Sequence, residues 1–178
     1  AVATKMMRCL AVDGFFGNPA STTHGFGWMA SEEVEWSREV VADSIGADPR
    51  EIVWTSGATE SDNLAIRGSF KALSKETGRY RIITLASEHK AVLDTCANLD
   101  ADVVVLKPRF DGSIDMEALH RALSPQTLLV SVMLVNNETG VIQPIRDIAD
   151  MAHASGALMH SDLAQSVGKI VVDVESLG

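Results

Sequence analysis

Four short stretches of this chain carry residue types that could do chemistry, and the first is Ser56-Gly57-Ala58-Thr59-Glu60-Ser61-Asp62-Asn63. It follows an apolar run, Glu51-Ile52-Val53-Trp54-Thr55, that reads as a strand, and precedes Leu64-Ala65-Ile66, which reads as the start of a helix with Phe70 a turn further on. Small residues at Gly57 and Ala58 let a ligand approach the backbone closely. The first turn of the helix then offers free N–H groups and the positive end of the helix dipole, an anion site best suited to a phosphate. The spacing is neither that of a P-loop nor that of a GxGxxG fingerprint. Thr59-x-x-Asp62 also fits a capping box, which would contribute roughly 1 kcal/mol with no ligand at all.

The other three stretches each stand just after an apolar run: Ser87-Glu88-His89, Asn136-Asn137-Glu138, and Ser161-Asp162 with Gln165 close behind. Each alone has a bland explanation, since His89 could neighbour a helix cap, Asn136-Asn137 could be a turn, and Asp162 could cap the next segment. Four such stretches at the carboxyl ends of strands are harder to dismiss, because that is where ligands bind in open α/β sheets.

The elements that must position these residues alternate along the chain. Residues 1–11 carry Val2, Met6, Met7 and Leu10 at helical spacing, and residues 13–21 are dense in breakers and read as an irregular loop, its two phenylalanines expected to pack down. A long helix is predicted from Phe26 to Ile45, closed by Gly46. Asp48-Pro49 turns the chain into the strand at 51–55, and the helix opened by the first motif runs to about Lys75 before Gly78. Strands follow at 81–86, 102–106, 127–135 and 157–160, with helices at 90–99, 115–123 and 145–155 between them. Near-continuous apolar strands alternating with amphipathic helices predict an α/β fold, a mostly parallel sheet with helices on both faces.

The bulk properties exclude several classes. With 178 residues, 46% hydrophobic and 22% charged, the chain is long enough for a real core and ordinary in composition. A net charge of -9 argues against direct nucleic-acid binding, and no apolar segment approaches a membrane span. Two cysteines, Cys9 and Cys96, lack CxxC or histidine clustering and so make neither a disulfide framework nor a metal site; a reducing cytoplasm is the default expectation.

A phosphate cradle, a flat aromatic ring (His89), an amide donor (Asn137), a carboxylate (Asp162) and a second amide (Gln165) together suit a phosphorylated heteroaromatic ring. Pyridoxal 5'-phosphate needs each of these. The stretches 55–63, Glu88-His89, Val135-Asn136-Asn137-Glu138-Thr139-Gly140 and 160–169 closely resemble cysteine desulfurases of the IscS/NifS type, which are class V aminotransferase-like enzymes of fold type I. Asn18-Pro19-Ala20-Ser21, followed by His24 and Gly27, is similar to that family's early active-site loop. The resemblance spans essentially the whole chain, in order and with matching spacing.

By motif, the resemblance implies that Ala58 and Thr59 bind the cofactor phosphate and that His89 stacks on the pyridine ring and assists proton transfer. It implies that Asn137 and Gln165 reach the phenolic oxygen from two sides, while Asp162 pairs with the pyridinium nitrogen. It further implies L-cysteine as substrate, L-alanine as product, an enzyme persulfide serving an iron–sulfur scaffold or tRNA thiolation, and a homodimer to which residues 18–27 contribute. The domain organisation expected is an N-terminal helix and active-site or dimer loop over 1–25, then part of the cofactor-binding large domain over 26–178.

The sequence also departs from the family's pattern. Leu163 stands where relatives usually have alanine, and could crowd the ring. The family's cofactor-attaching lysine, nucleophilic cysteine and substrate-carboxylate arginine lie beyond where this chain stops, so the expectation is a piece of a longer enzyme that is not competent by itself. Lys169, Lys90, Cys9 and Cys96 are expected to be structural rather than substitutes for them. The alternatives are another class V enzyme, such as a selenocysteine lyase or an aminotransferase, or a non-catalytic relative acting by binding or dimerisation.

Overall fold

Most apolar runs and amphipathic segments form the elements that their periodicity predicts. The computed structural model describes residues 2–178, so only Ala1 of the expected first helix lies outside the described residues. Two compact units, Ala1–Val53 and Trp54–Gly178, divide the chain.

In the first unit, α1 (Val2–Arg8) buries none of its residues, and α2 (Gly25–Ile45) is a long helix. His24 caps α2 by accepting the Gly27 N–H on Nδ1 at 3.1 Å, and Gly46 ends it in the left-handed conformation at φ 69°. The 17–21 loop packs down as expected, but through glycines rather than phenylalanines. A Cβ on Gly27 would lie 1.9 Å from the Ser21 carbonyl oxygen, and one on Gly17 would lie 2.2 Å from that of Phe26. Phe16 is exposed, while Arg8 sits 5.0 Å over the Phe15 ring. The predicted strand at 51–55 does not form. Asp48 and Glu51 cap a short 3-10 turn, Pro49–Glu51, and the chain beyond it runs extended without joining a ladder. Apolar, β-branched residues are not enough for a strand without a neighbour to pair with.

In the second unit, α3 (Ala58–Thr77) leads into four strands and their connecting helices: β1 (Arg81–Leu85), α4 (Lys90–Ala97), β2 (Asp102–Leu106), α5 (Met116–Ala122), β3 (Thr127–Ser131), α6 (Ile145–Ala154), β4 (Leu158–His160) and α7 (Val174–Leu177). All strand pairs are parallel, in the order β2-β1-β3-β4. The chain therefore steps from β1 to β2 in one direction and returns past β1 to β3 and β4 in the other. With right-handed crossovers, that reversal puts α4 on one face and α5 and α6 on the opposite one. Helix α3 packs on α4 and β3.

Ile66 and Phe70 from α3, Val92 and Cys96 from α4, and Ile82, Leu128 and Leu129 from the sheet form one buried cluster. β3 is shorter than the 127–135 run suggests, ending at Ser131. The apolar stretch near Ile170–Val172 is not a strand, and Val171 is fully solvated. Ile66→Ala should lower unfolding free energy in urea by about 2–5 kcal/mol, through lost burial and a cavity. Val105→Ala, on a half-exposed position of β2, should cost less than about 1 kcal/mol.

Candidate active site

The reversal of strand order between β1 and β3 is a topological switch point, where the loops leaving two neighbouring strands diverge and leave a crevice. A cavity of about 210 Å³ lies there, lined by Ala58, His89, Asn137, Asp162 and Gln165. Met133, Val135 and Ala164 supply apolar wall. Five of the six expected site residues thus share one cavity, contributed by the start of α3 and by the loops after β1, β3 and β4. Thr59, the sixth, is exposed on the first turn of α3 beside Ala58. Leu163 does not line this cavity; it borders an adjoining one, of about 350 Å³, that shares Ala58, Asp162 and Ala164.

The start of α3 differs from the predicted capping box. Gly57 is the N-cap and provides no side-chain bond, so Thr59 and Asp62 lie inside the helix rather than bracketing its start. The preceding loop closes on α3 in another way: the Ser56 N–H donates to Glu60 Oε2 at 2.6 Å, and the Thr55 and Ser61 hydroxyls are 2.7 Å apart. A Cβ added at Gly57 would meet nothing within 4 Å, leaving the helix N-terminus open to an anion.

His89 is itself the N-cap of α4, a position where Ser, Thr, Asp or Asn is the local preference. Its Nδ1 accepts the Ala91 N–H at 3.1 Å, which leaves Nε2 as the protonated nitrogen of the neutral ring. Asp162 Oδ1 accepts the Ala164 N–H at 2.8 Å, so the turn reading and the cavity reading both hold. Gln165 receives Lys169 Nζ on its Oε1 at 2.6 Å, so its amide nitrogen remains as the donor. Lys90 pairs with Asp94 at 2.7 Å on the exposed side of α4.

The sequence offers the buried Asp62 only as a capping residue and gives the buried Glu88 and the partly buried His160 no role. Burial pushes the Glu88 carboxyl up to about 8, against the Met133 N–H bond that favours its charge, with Asp162 and Asp62 adding repulsion. Asp62 is raised to about 6 by burial and then by Asp162, opposed by His89. Its Oδ1 lies 3.6 Å from His160 Nε2, and its Oδ2 has no hydrogen-bond partner. Burial lowers the His160 pKa, so the ring is neutral at pH 7, with Nδ1 2.9 Å from the Ser131 hydroxyl. Glu88 was visible as a residue after a strand, but its partner is a backbone N–H 45 positions away, which no local pattern reveals.

This donor set fits pyridoxal phosphate. Asp162 is the one carboxylate on the cavity wall among the described residues, and no lysine or arginine lines it, so a pyridinium nitrogen would offset its charge. The open helix N-terminus, which brings Ala58 to the cavity wall, suits a phosphate. Apolar walls and the His89 ring suit a flat ring between them.

A parallel sheet with a cavity at its switch point, a helix N-terminus on one side and a carboxylate on the other has the large-domain architecture of fold-type I enzymes. Residues 5–178 match the aminotransferase class-V family, and the chain belongs to it. Its relatives include proteins named cysteine desulfurase IscS. That of Enterobacter sp. (strain 638) is 53% identical over 99% of this chain, and that of Glaesserella parasuis serovar 5 (strain SH0165) is 54% identical over 99%. The chain spans 44% of the length of each. Among solved structures, a NifS-like protein superposes with a TM-score of 0.92 at 35% identity, covering 99% of this chain and 48% of its own. A structure described as SspA in complex with cysteine superposes at 0.89 with 38% identity, covering 99% and 50%.

The raised Glu88 carboxyl has a consequence for stability. At low pH the group is protonated in both folded and unfolded chains; from about pH 4.5 the unfolded chain ionises while the folded one resists until about 8. Stability should therefore fall as pH rises from 5 through 8, by several degrees in Tm at roughly 2–4 °C per kcal/mol. Glu88→Gln, which keeps an acceptor for Met133, should flatten that fall. An equal fall in the variant would assign the pH dependence to other groups.

Proposed function

We propose that this chain is the cofactor-holding part of a cysteine desulfurase and binds pyridoxal 5'-phosphate in the switch-point cavity. The observation that carries the reading is the convergence of Ala58, His89, Asn137, Asp162 and Gln165, drawn from four separate elements, on one small cavity. When bound, the cofactor supplies an electron-withdrawing ring that stabilises a carbanion on an amino-acid substrate. The residues of this chain hold and tune that ring.

The N–H groups at the start of α3, with the Thr59 hydroxyl, would hold the phosphate. Asp162 would pair with the ring nitrogen and keep it protonated, an opposite-charge effect. Asn137 and the Gln165 amide nitrogen would donate to the phenolic oxygen, with Lys169 fixing the Gln165 amide in that sense. His89, its proton on Nε2, would stack on the ring and exchange a proton with the reacting centre.

The whole reaction we assign is removal of sulfur from L-cysteine, giving L-alanine and an enzyme persulfide. That sulfur would pass to an iron–sulfur scaffold or a tRNA-thiolating acceptor, in a cytoplasmic homodimer. The names of the IscS relatives support this, as does the neighbour described with cysteine. The persulfide-forming thiol is neither cysteine of this chain in our reading: Cys96 is buried and its thiol is pushed up to about 11 by that burial, and Cys9 follows directly on the short N-terminal helix α1.

Titrating the 178-residue chain with pyridoxal phosphate should give saturable quenching of tryptophan fluorescence. Asp162→Ala should weaken binding about 10–100-fold, the range for losing a charged hydrogen bond. Because no lysine lines the cavity among the described residues, borohydride should fix no cofactor at a single lysine of the site. Equal affinity of wild type and Asp162→Ala would overturn the assignment, and a reduced adduct on one lysine would overturn the reversible mode of holding.

A further inference from the structure

The β1–β3 ladder stops at Thr84 and Ser131, and beyond it the two strand-end loops part to make the cavity. Their backbone groups are still buried there and still need partners. Two side chains supply them, in opposite senses across the gap. Glu88 Oε1 accepts the Met133 N–H at 2.8 Å, and Asn136 Nδ2 donates to the Ser87 carbonyl at 2.7 Å. Each of these side chains is 6% exposed, and neither lines the cavity. Each immediately precedes, in sequence, a residue that does: His89 and Asn137.

Asn136 is committed at its other end as well. Its Oδ1 accepts the Glu138 N–H at 3.0 Å, the Thr139 N–H at 2.9 Å and the Thr139 hydroxyl at 3.0 Å. The side chain therefore holds the turn that presents Asn137 and fastens that turn to the loop that presents His89. Glu88 makes the reciprocal tie. A buried carboxyl with no cationic partner among the described residues is a costly choice for packing alone, where an apolar residue would serve the fold better.

We propose that Glu88 and Asn136 are positioning residues, which take over from the sheet ladder past its last rung and set where His89 and Asn137 stand in the cavity. The claim deepens the functional reading above, but its geometric part stands on the ligand-free chain. Without the Glu88 acceptor, the Met133 N–H is left buried and unpaired, and the loop carrying His89 separates from β3. The His89 ring moves with it, because its Nδ1 bond to Ala91 ties it to the start of α4.

The test is nitrogen-15 NMR of the 178-residue chain without cofactor, reading the His89 ring and the Asn137 side-chain amide, followed by pyridoxal phosphate titration. Glu88→Ala removes one tie. Asn136→Asp removes the donor to Ser87 while keeping the acceptor for its own turn. Glu88→Gln keeps the Met133 tie, and Ile66→Val serves as a destabilised control away from the loops. The first two variants should shift the His89 and Asn137 signals and weaken cofactor binding tenfold or more, while the last two leave signals in place and affinity within twofold. Unmoved signals in Asn136→Asp and Glu88→Ala would overturn the proposal, as would equal movement in Ile66→Val. If Glu88→Ala does not fold, Asn136→Asp decides. If the wild type binds no pyridoxal phosphate, the functional reading fails while the ligand-free signals still decide this one.

Discussion

The cavity depends on one constraint: parallel strands that separate must find new partners for their buried backbone groups. The chain reverses direction between β1 and β3, so the loops leaving these neighbours cannot follow one another. The ladder ends at Thr84 and Ser131, and side chains carry the pairing onward. Farther across, Val132 donates to the His160 carbonyl and Leu134 to that of Asp162, so the β4 loop is tied into the same frame. The result is a crevice whose walls are braced before any ligand arrives, the preorganisation that tight and selective binding requires.

Electrostatics gives this frame a direction. The N-terminus of α3 opens toward an anion, while burial, with repulsion from Asp162, holds the Asp62 and Glu88 carboxyls up. Asp162 and Ala58, at the start of α3, both line the cavity, which under the proposed function would take a cationic nitrogen and a phosphate. His160 adds no compensating charge because its burial keeps it neutral. The arrangement sacrifices some stability of the ligand-free protein for a site whose electrostatics suit a charged ring, as functional sites commonly do.

Much of this was legible in the sequence, for physical reasons. The order of strands and helices follows from apolar runs of strand length punctuated by glycines, and Gly46 and Gly78 close α2 and α3 at φ 69° and 70°. His89, Asn137, Asp162 and Gln165 are legible because they follow strands whose carboxyl ends must share one side of a parallel sheet, and Ala58 because small residues mark the start of a helix. The strand at 51–55 was misread because its residues favour an extended chain, whereas a ladder needs a partner that composition cannot show. The alternative reading of Thr59 and Asp62 as a capping box fails because Gly57 starts the helix two residues earlier than that motif requires. Asp62 is instead a buried acid facing His160. Glu88 and Asn136 remained without roles because their partners lie 45 and 49 positions away.

The most direct measurement is a map of amide and side-chain chemical-shift changes in the labelled chain as pyridoxal phosphate is added. The account predicts changes concentrated at Ala58, Thr59, His89, Asn137, Asp162 and Gln165, saturating together with a single affinity. Changes confined instead to the groove of Phe70, Lys71, Lys75 and Tyr80, or no saturable change at all, would contradict it.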